Sequence, residues 1–225
     1  MEQNNSHYAV IWDMDGVLID SGEPHFITWR DTLAEIGVEY TWEHFQHTFG
    51  MNNHAVLEYV LGEKPDPVQA EILIEKKEQE FVEIIRQGVE PLPGIVDWLS
   101  RLKDWGVKLA VASSAPWGNI DAELDGADLR RFFDTIVSGA ELPPKPNPDV
   151  FLKAAADLGV LPEHCVVVED SLAGLGGALA AGMKCIAVTT THPAEELKNA
   201  SRIYPNLAAM SEEEFFNMTE WELRC

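Results

Sequence analysis

The chain has 225 residues, of which 16 are basic and 38 acidic, for a formal net charge of −22; 46% are apolar and 24% charged. That length fits one large domain, or one domain carrying an insertion, around a sizeable core. The acidity argues against nucleic acid and anionic membrane surfaces as partners, because both are bound mainly through Lys and Arg.

The first apolar run, Tyr8–Trp12, breaks into Asp13-Met14-Asp15-Gly16-Val17-Leu18-Ile19-Asp20-Ser21. Two carboxylates two residues apart, then a glycine, put acidic groups at the carboxyl end of a buried strand, the edge where open parallel sheets bind ligands. From about Gly22 to Val89 there is no strand pattern, only helical periodicity at Phe26–Ile36, Trp42–Phe49, His54–Leu61 and Val68–Arg86. Pro91, Pro93 and Gly94 then mark a return to alternation. Strand-like runs follow at Val107–Ala112, Thr135–Val137, Cys165–Val168 and Cys185–Val188, with helical runs at Ile95–Trp105, Ile120–Phe132, Pro148–Leu158 and Leu172–Ala181. The strands are continuously apolar, as expected when helices cover both faces. The predicted fold class is therefore α/β, a doubly wound parallel sheet, with 1–21 and 92–225 as its core. Residues 22–91 are expected to form an all-helical cap over the acidic loop.

Three further groups fall at later strand ends. Ala112-Ser113-Ser114 offers a small hydroxyl that can donate to a phosphate oxygen or cap a helix. Lys145 stands in Pro143-Pro144-Lys145-Pro146-Asn147-Pro148, where prolines stiffen the backbone ahead of a helix expected to begin with Asn147 as cap and Pro148 as first residue. Glu169-Asp170-Ser171 follows Val166-Val167-Val168, and adjacent carboxylates at a strand end call for a cation.

With these four motifs in order, the chain resembles the haloacid dehalogenase superfamily, in the subgroup with a helical cap after the first motif. Within it the chain is most similar to the β-phosphoglucomutase and phosphoglycolate-phosphatase-like branch. The resemblance implies an Mg²⁺-dependent enzyme in which Asp13 is the nucleophile and forms an aspartyl-phosphate. Asp15 would protonate the leaving oxygen and later activate water. Ser113 would hold the phosphoryl group, and Lys145 would steady its charge and that of Asp13. Asp13, Asp15 (through its main-chain carbonyl), Glu169 and Asp170 would make the magnesium site. Gly16, Ser114, His25, Lys77 and Asn53 are the implied substrate-binding positions. His25 and Trp29 share a helix face, while Lys77, in Glu75-Lys76-Lys77-Glu78, also fits a solvated charged surface.

The chain departs from the mutases of that branch. Gly50-Met51-Asn52-Asn53 stands where they carry a G-x-S-R motif, and Ala115-Pro116-Trp117 lacks the lysine and asparagine they place after the serine. Fewer cap cations favour a phosphatase of small-molecule phosphate monoesters over a sugar-phosphate mutase. A 2-haloacid dehalogenase needs neither Asp15 nor a metal. A phospho-accepting signalling module has the reverse motif order, no cap and about half the length.

Cys165, Cys185 and Cys225 have no paired spacing, which suggests a reducing compartment. The start, Met-Glu-Gln-Asn-Asn-Ser, lacks the features of a signal peptide. The expectation is a cytoplasmic protein, monomeric or weakly dimeric, whose partner is a phosphorylated small molecule.

Overall fold

The computed structural model describes residues 7–49 and 51–221; residues 1–6, 50 and 222–225, Cys225 among them, lie outside it. Six parallel strands form one sheet in the order β3-β2-β1-β4-β5-β6: β1 Ala9–Trp12, β2 Lys108–Ser113, β3 Thr135–Ser138, β4 Cys165–Glu169, β5 Lys184–Val188 and β6 Arg202–Tyr204. The strand order reverses at β1, so the crevice beyond its carboxyl end is the topological switch point.

Alternate strand residues serve two cores. Val10, Trp12, Val111, Val166 and Val168 pack on one face against α5 (Ile95–Asp104), α6 (Trp117–Gly126) and α9 (Glu212–Thr219). Ala9, Ile11, Ala110, Ala112 and Val167 face α7 (Asp149–Leu158) and α8 (Leu172–Ala180). The small residues on this second face let α7 and α8 lie close to the sheet, which brings the ends of their loops near Asp13.

Between β1 and α5 run four helices, α1 Gly22–Ala34, α2 Trp42–Thr48, α3 Asn53–Leu61 and α4 Pro67–Ile85. They share an apolar core of their own, including Trp29, Leu33, Phe45, Leu57 and Leu73. Local signals set their ends. Thr41 and His44 make a capping box on α2, and Asp66 accepts from Val68 N and Gln69 N ahead of Pro67. The chain leaves and re-enters the α/β body side by side: Ile19 bridges to Pro91, and Leu92 N donates to Leu18 O at 2.9 Å.

Three expectations shift. The predicted helix 120–132 starts earlier, at Trp117, and stops at Gly126, because Asp128 adopts a left-handed turn before a separate short 3-10 helix, Arg130–Phe132. Pro148 occupies the cap position of α7, and the Asn147 amide instead donates to Pro144 O at 2.8 Å, bracing the lysine loop. β6 and α9 were not foreseen: three residues are too few to show a strand period, and α9 is announced only by its Ser211/Glu214 capping box. Among the described residues no helix is long and apolar enough to cross a membrane.

Candidate active site at the carboxyl edge of the sheet

β1, β2 and β4 end level with one another, and this register gathers residues far apart in sequence. Asp13 follows β1, its N–H donating to Val168 O at 3.0 Å. Lys145 reaches in from the proline-rich loop, with Nζ 2.5 Å from Asp13 Oδ1 and 2.7 Å from Glu169 Oε1. The other oxygen of Glu169, Oε2, accepts from Asp170 N, Ser171 N and Ser171 Oγ, each at 2.9 Å. Glu169 is thereby fixed at the N-terminus of α8, where the helix dipole favours negative charge. Gly174 permits this arrangement, since a Cβ there would collide with the Glu169 carboxylate.

Asp170 accepts from the Thr191 hydroxyl, and from Thr190 Oγ1 at 3.4 Å. Thr190 also donates to Gly16 O. Gly16 has φ +74°, and a side chain on it would run into Asp170. The glycine after the two aspartates is therefore required both by backbone conformation and by space.

Asp13, Glu169 and Asp170 are buried and each offers a carboxylate oxygen, all within 4.8 Å of one another. Burial drives the Asp13 carboxyl up to about 7; Lys145 opposes the rise, and Glu169 and Asp15 add to it. Burial, Glu169 and Asp13 likewise push Asp170 well above the usual carboxylate range. For Lys145, burial works against the charged form, but Asp13 and Glu169 outweigh it and raise its pKa. One lysine does not balance three crowded carboxyls. An all-oxygen donor set with surplus negative charge suits a hard divalent cation, so these residues can hold a metal.

Ser113 ends β2 fully buried, and its Oγ accepts from Ala115 N at 3.0 Å, which leaves its hydroxyl hydrogen uncommitted by that bond. Ser114 is exposed and lines the cavity described below.

Asp15 points toward the helical segment. Its Oδ1 accepts from Ser21 Oγ and lies 3.2 Å from His25 Nε2, while His25 Nδ1 is 2.9 Å from Lys77 Nζ. Burial acts to raise the Asp15 carboxyl, but the bonds from His25 and Ser21 and the Lys77 charge bring it below its usual value. Burial and Lys77 keep His25 below the ordinary histidine range, so at neutral pH it is an uncharged ring, stacked 4.0 Å from Phe81. Lys77 is 1% exposed and so does not belong to a solvated face, although its neighbour Glu75 is exposed. Helix α4 turns Lys77 inward beside Phe81, the core side of its stripe. Trp29 shares the His25 side of α1, packs in the helical core and also lines the cavity.

Asn53 does not stand free as a substituted arginine position. Its Nδ2 donates to Glu78 Oε1 at 2.7 Å, and Asn119 Nδ2 of α6 donates to Glu78 Oε2 at 2.5 Å. Glu123 of α6, fully buried beside Asp15 and His25, has neither carboxyl oxygen partnered among the described residues. Burial, with Asp15 next to it, raises its pKa well above the usual carboxylate range. Thr191 follows an apolar strand and could have been found by that rule. Glu78, Asn119 and Glu123 lie inside helices and carry no local signal.

The switch-point carboxylates, a cation-ready acidic cluster and a buried lysine define an α/β enzyme. The haloacid dehalogenase-like hydrolase profile matches residues 10–188, and the chain belongs to that family. It is 39% identical to SUPPRESSOR OF QUENCHING 1 of Arabidopsis thaliana over 85% of this chain but only 19% of that protein's length. It is 33% identical to hexitol phosphatase B of Escherichia coli (86% of this chain, 87% of that one) and 32% identical to β-phosphoglucomutase of Bacillus subtilis (82% and 84%). Among solved structures it is similar to CbbY from Rhodobacter sphaeroides in complex with phosphate, with a TM-score of 0.82, 29% identity and 90% and 95% of the two chains covered.

Proposed function

We propose that the protein is an Mg²⁺-dependent phosphatase that hydrolyses a small-molecule phosphate monoester through an aspartyl-phosphate at Asp13. The observation that carries this reading is the Asp13–Lys145–Glu169 arrangement. Lys145 holds Oδ1 of Asp13 and leaves Oδ2 for the phosphorus.

In the first half-reaction Asp13 Oδ2 forms a bond to phosphorus as the ester oxygen departs; Asp15, ionised at neutral pH, first takes a proton from the phosphate monoanion and passes it to the leaving oxygen. Asp15 then accepts a proton from water as that water attacks the phosphorus, releasing phosphate and restoring the Asp13 carboxylate. His25 and Ser21 fix the orientation of the Asp15 carboxyl, and the Ser113 hydroxyl and Lys145 meet phosphoryl oxygens. Asp13, Asp170, the Asp15 main-chain carbonyl and Glu169 would hold Mg²⁺, which when bound offsets the charge of the phosphoryl group. Residues 22–91 serve as a cap that excludes water and reads the rest of the substrate, hinged where Ile19 and Leu18 meet Pro91 and Leu92.

A mutase must retain a bisphosphorylated intermediate and bind its distal phosphate with cap cations. Asn53 is committed to a carboxylate, and Pro116 and Trp117 offer no cation beside Ser113. Water therefore wins the phosphoenzyme. The test incubates the protein with β-glucose 1-phosphate, Mg²⁺ and a catalytic amount of glucose 1,6-bisphosphate, following phosphate and glucose 6-phosphate together. Phosphate is expected as the main product. Glucose 6-phosphate forming much faster than phosphate would replace the phosphatase reading with the mutase one.

A further inference from the structure

The Asp15 side of the site opens into a cavity of about 740 Å³ between α1–α4 and the loop after β2. That volume lies within the range of roughly 300–1,000 Å³ usual for small-molecule pockets. A hexose bisphosphate and a hexitol monophosphate would both fit, so size does not choose between them. Charge does.

Lys77 is the buried cation on this wall, and burial holds its pKa below the usual lysine value despite the carboxylates around it. Glu78 Oε1 lies 3.0 Å from its Nζ, and Asp15 is close enough to act on it electrostatically. Glu75 and Glu83 line the same cavity against a single further cation, Arg86. Glu78 is itself the hub of the wall. Besides Lys77 it accepts from Asn53 on α3 and Asn119 on α6, so it ties the helical segment to the α/β body. Although burial acts to raise it, Lys77 and the Asn119 bond hold the Glu78 carboxyl below its usual range, and it stays ionised. Each asparagine gives one N–H to Glu78 and keeps a carbonyl oxygen and a second N–H, the donors and acceptors that match hydroxyl groups.

Resting on the phosphatase reading, we propose that Glu78 is a specificity-determining residue that gates the cavity by charge. Clamped between Asn53 and Asn119, it admits phosphate monoesters whose remaining part is neutral and polyhydroxylated and rejects those bearing a second anionic group. A second anion would be buried next to an ionised carboxylate, on a wall where Glu75, Glu78 and Glu83 outnumber Lys77 and Arg86, an arrangement that is costly in a low-dielectric site.

The test uses two open-chain compounds that differ only at C1, D-glucitol 6-phosphate (CH₂OH) and 6-phospho-D-gluconate (carboxylate). Binding is measured calorimetrically on the Asp13→Asn protein in Mg²⁺, and turnover on the active enzyme. The glucitol ester is expected to bind at least 30-fold more tightly, with the same preference in kcat/KM. Glu78→Gln, which removes the charge and keeps the shape, should reduce the preference at least tenfold, through the Kd and KM of the gluconate ester. Asn119→Ala breaks the tie but keeps the charge, so it should weaken both ligands and preserve the ratio. Equal binding of the two compounds by the Asp13→Asn protein, or a ratio unchanged in Glu78→Gln, overturns the gate. Discriminating binding without turnover of either compound by the active enzyme leaves the gate standing and overturns the phosphatase reading instead.

Discussion

The Lys145 ammonium lies 2.5 Å from Asp13 Oδ1, so the two oxygens of that carboxylate are chemically distinct before any substrate arrives. On the proposed mechanism the lysine both stabilises the ionised nucleophile and decides which oxygen attacks. Asp13→Asn is expected to abolish phosphate release from p-nitrophenyl phosphate while leaving the circular-dichroism spectrum unchanged, because the isostere disturbs no packing. Lys145→Ala should lower kcat by about 10²-fold or more, as loss of a positioned charge on a developing anion does. Substantial turnover in the asparagine variant would sink the mechanism.

Asp15 answers to a different measurement. Loss of a general acid and base costs on the order of 10²–10⁴-fold, and the acid matters least when the leaving group departs without a proton. Asp15→Asn should therefore lose less on p-nitrophenyl phosphate than on an alkyl phosphate. It should also show a pre-steady-state burst of nitrophenol, because the second step still lacks its base. Equal losses on both esters with no burst would count against the assignment.

The acidic cluster predicts a pH-dependent response to Mg²⁺. With the Asp13 carboxyl raised to about 7 from its ordinary 3.8, the folded protein retains a proton that the unfolded chain has released between those two pH values. Stability of the metal-free protein consequently falls as pH rises through that window, and reaches its full deficit above the folded value. A cation that binds the ionised cluster restores more at pH 7.5 than at pH 5. Thermal denaturation with 5 mM Mg²⁺ should show Tm rising by about 5 °C at pH 7.5 and by little at pH 5. The same increment at both values would remove the cluster as the metal site.

Gly174 is tested by one methyl group. Its Cβ would enter the space of the Glu169 carboxylate, and overpacking of this kind costs about 1–3 kcal/mol. Gly174→Ala should lower Tm by about 2–12 °C. It should also lower activity, since Glu169 must then give up its place beside Lys145. Unchanged Tm and kcat would mean that the Glu169 carboxylate is not held against Gly174.

Much of this protein is written locally. A strand ending in Asp13-Met14-Asp15-Gly16 and another ending in Glu169-Asp170 carry their position at the sheet edge in their own few residues. Apolar runs alternating with helical periods then dictate a parallel sheet, which brings those ends together whatever the remaining details. Lys145 was legible because prolines on both sides restrict its loop. The tertiary structure alone decided the charge that lines the cavity beside Asp15. Glu78 and Asn119 are 41 positions apart, His25 and Lys77 are 52 apart, and each sits on a helix whose periodicity reports only its buried stripe. Lys77 and Glu78 read identically to a solvated ion pair until α4 packs against α1 and α6. Hydrophobic patterning is a property of one element at a time. Which polar groups an element must bury is settled only when two elements meet, because the cost of burial is met by partners that lie on the other element.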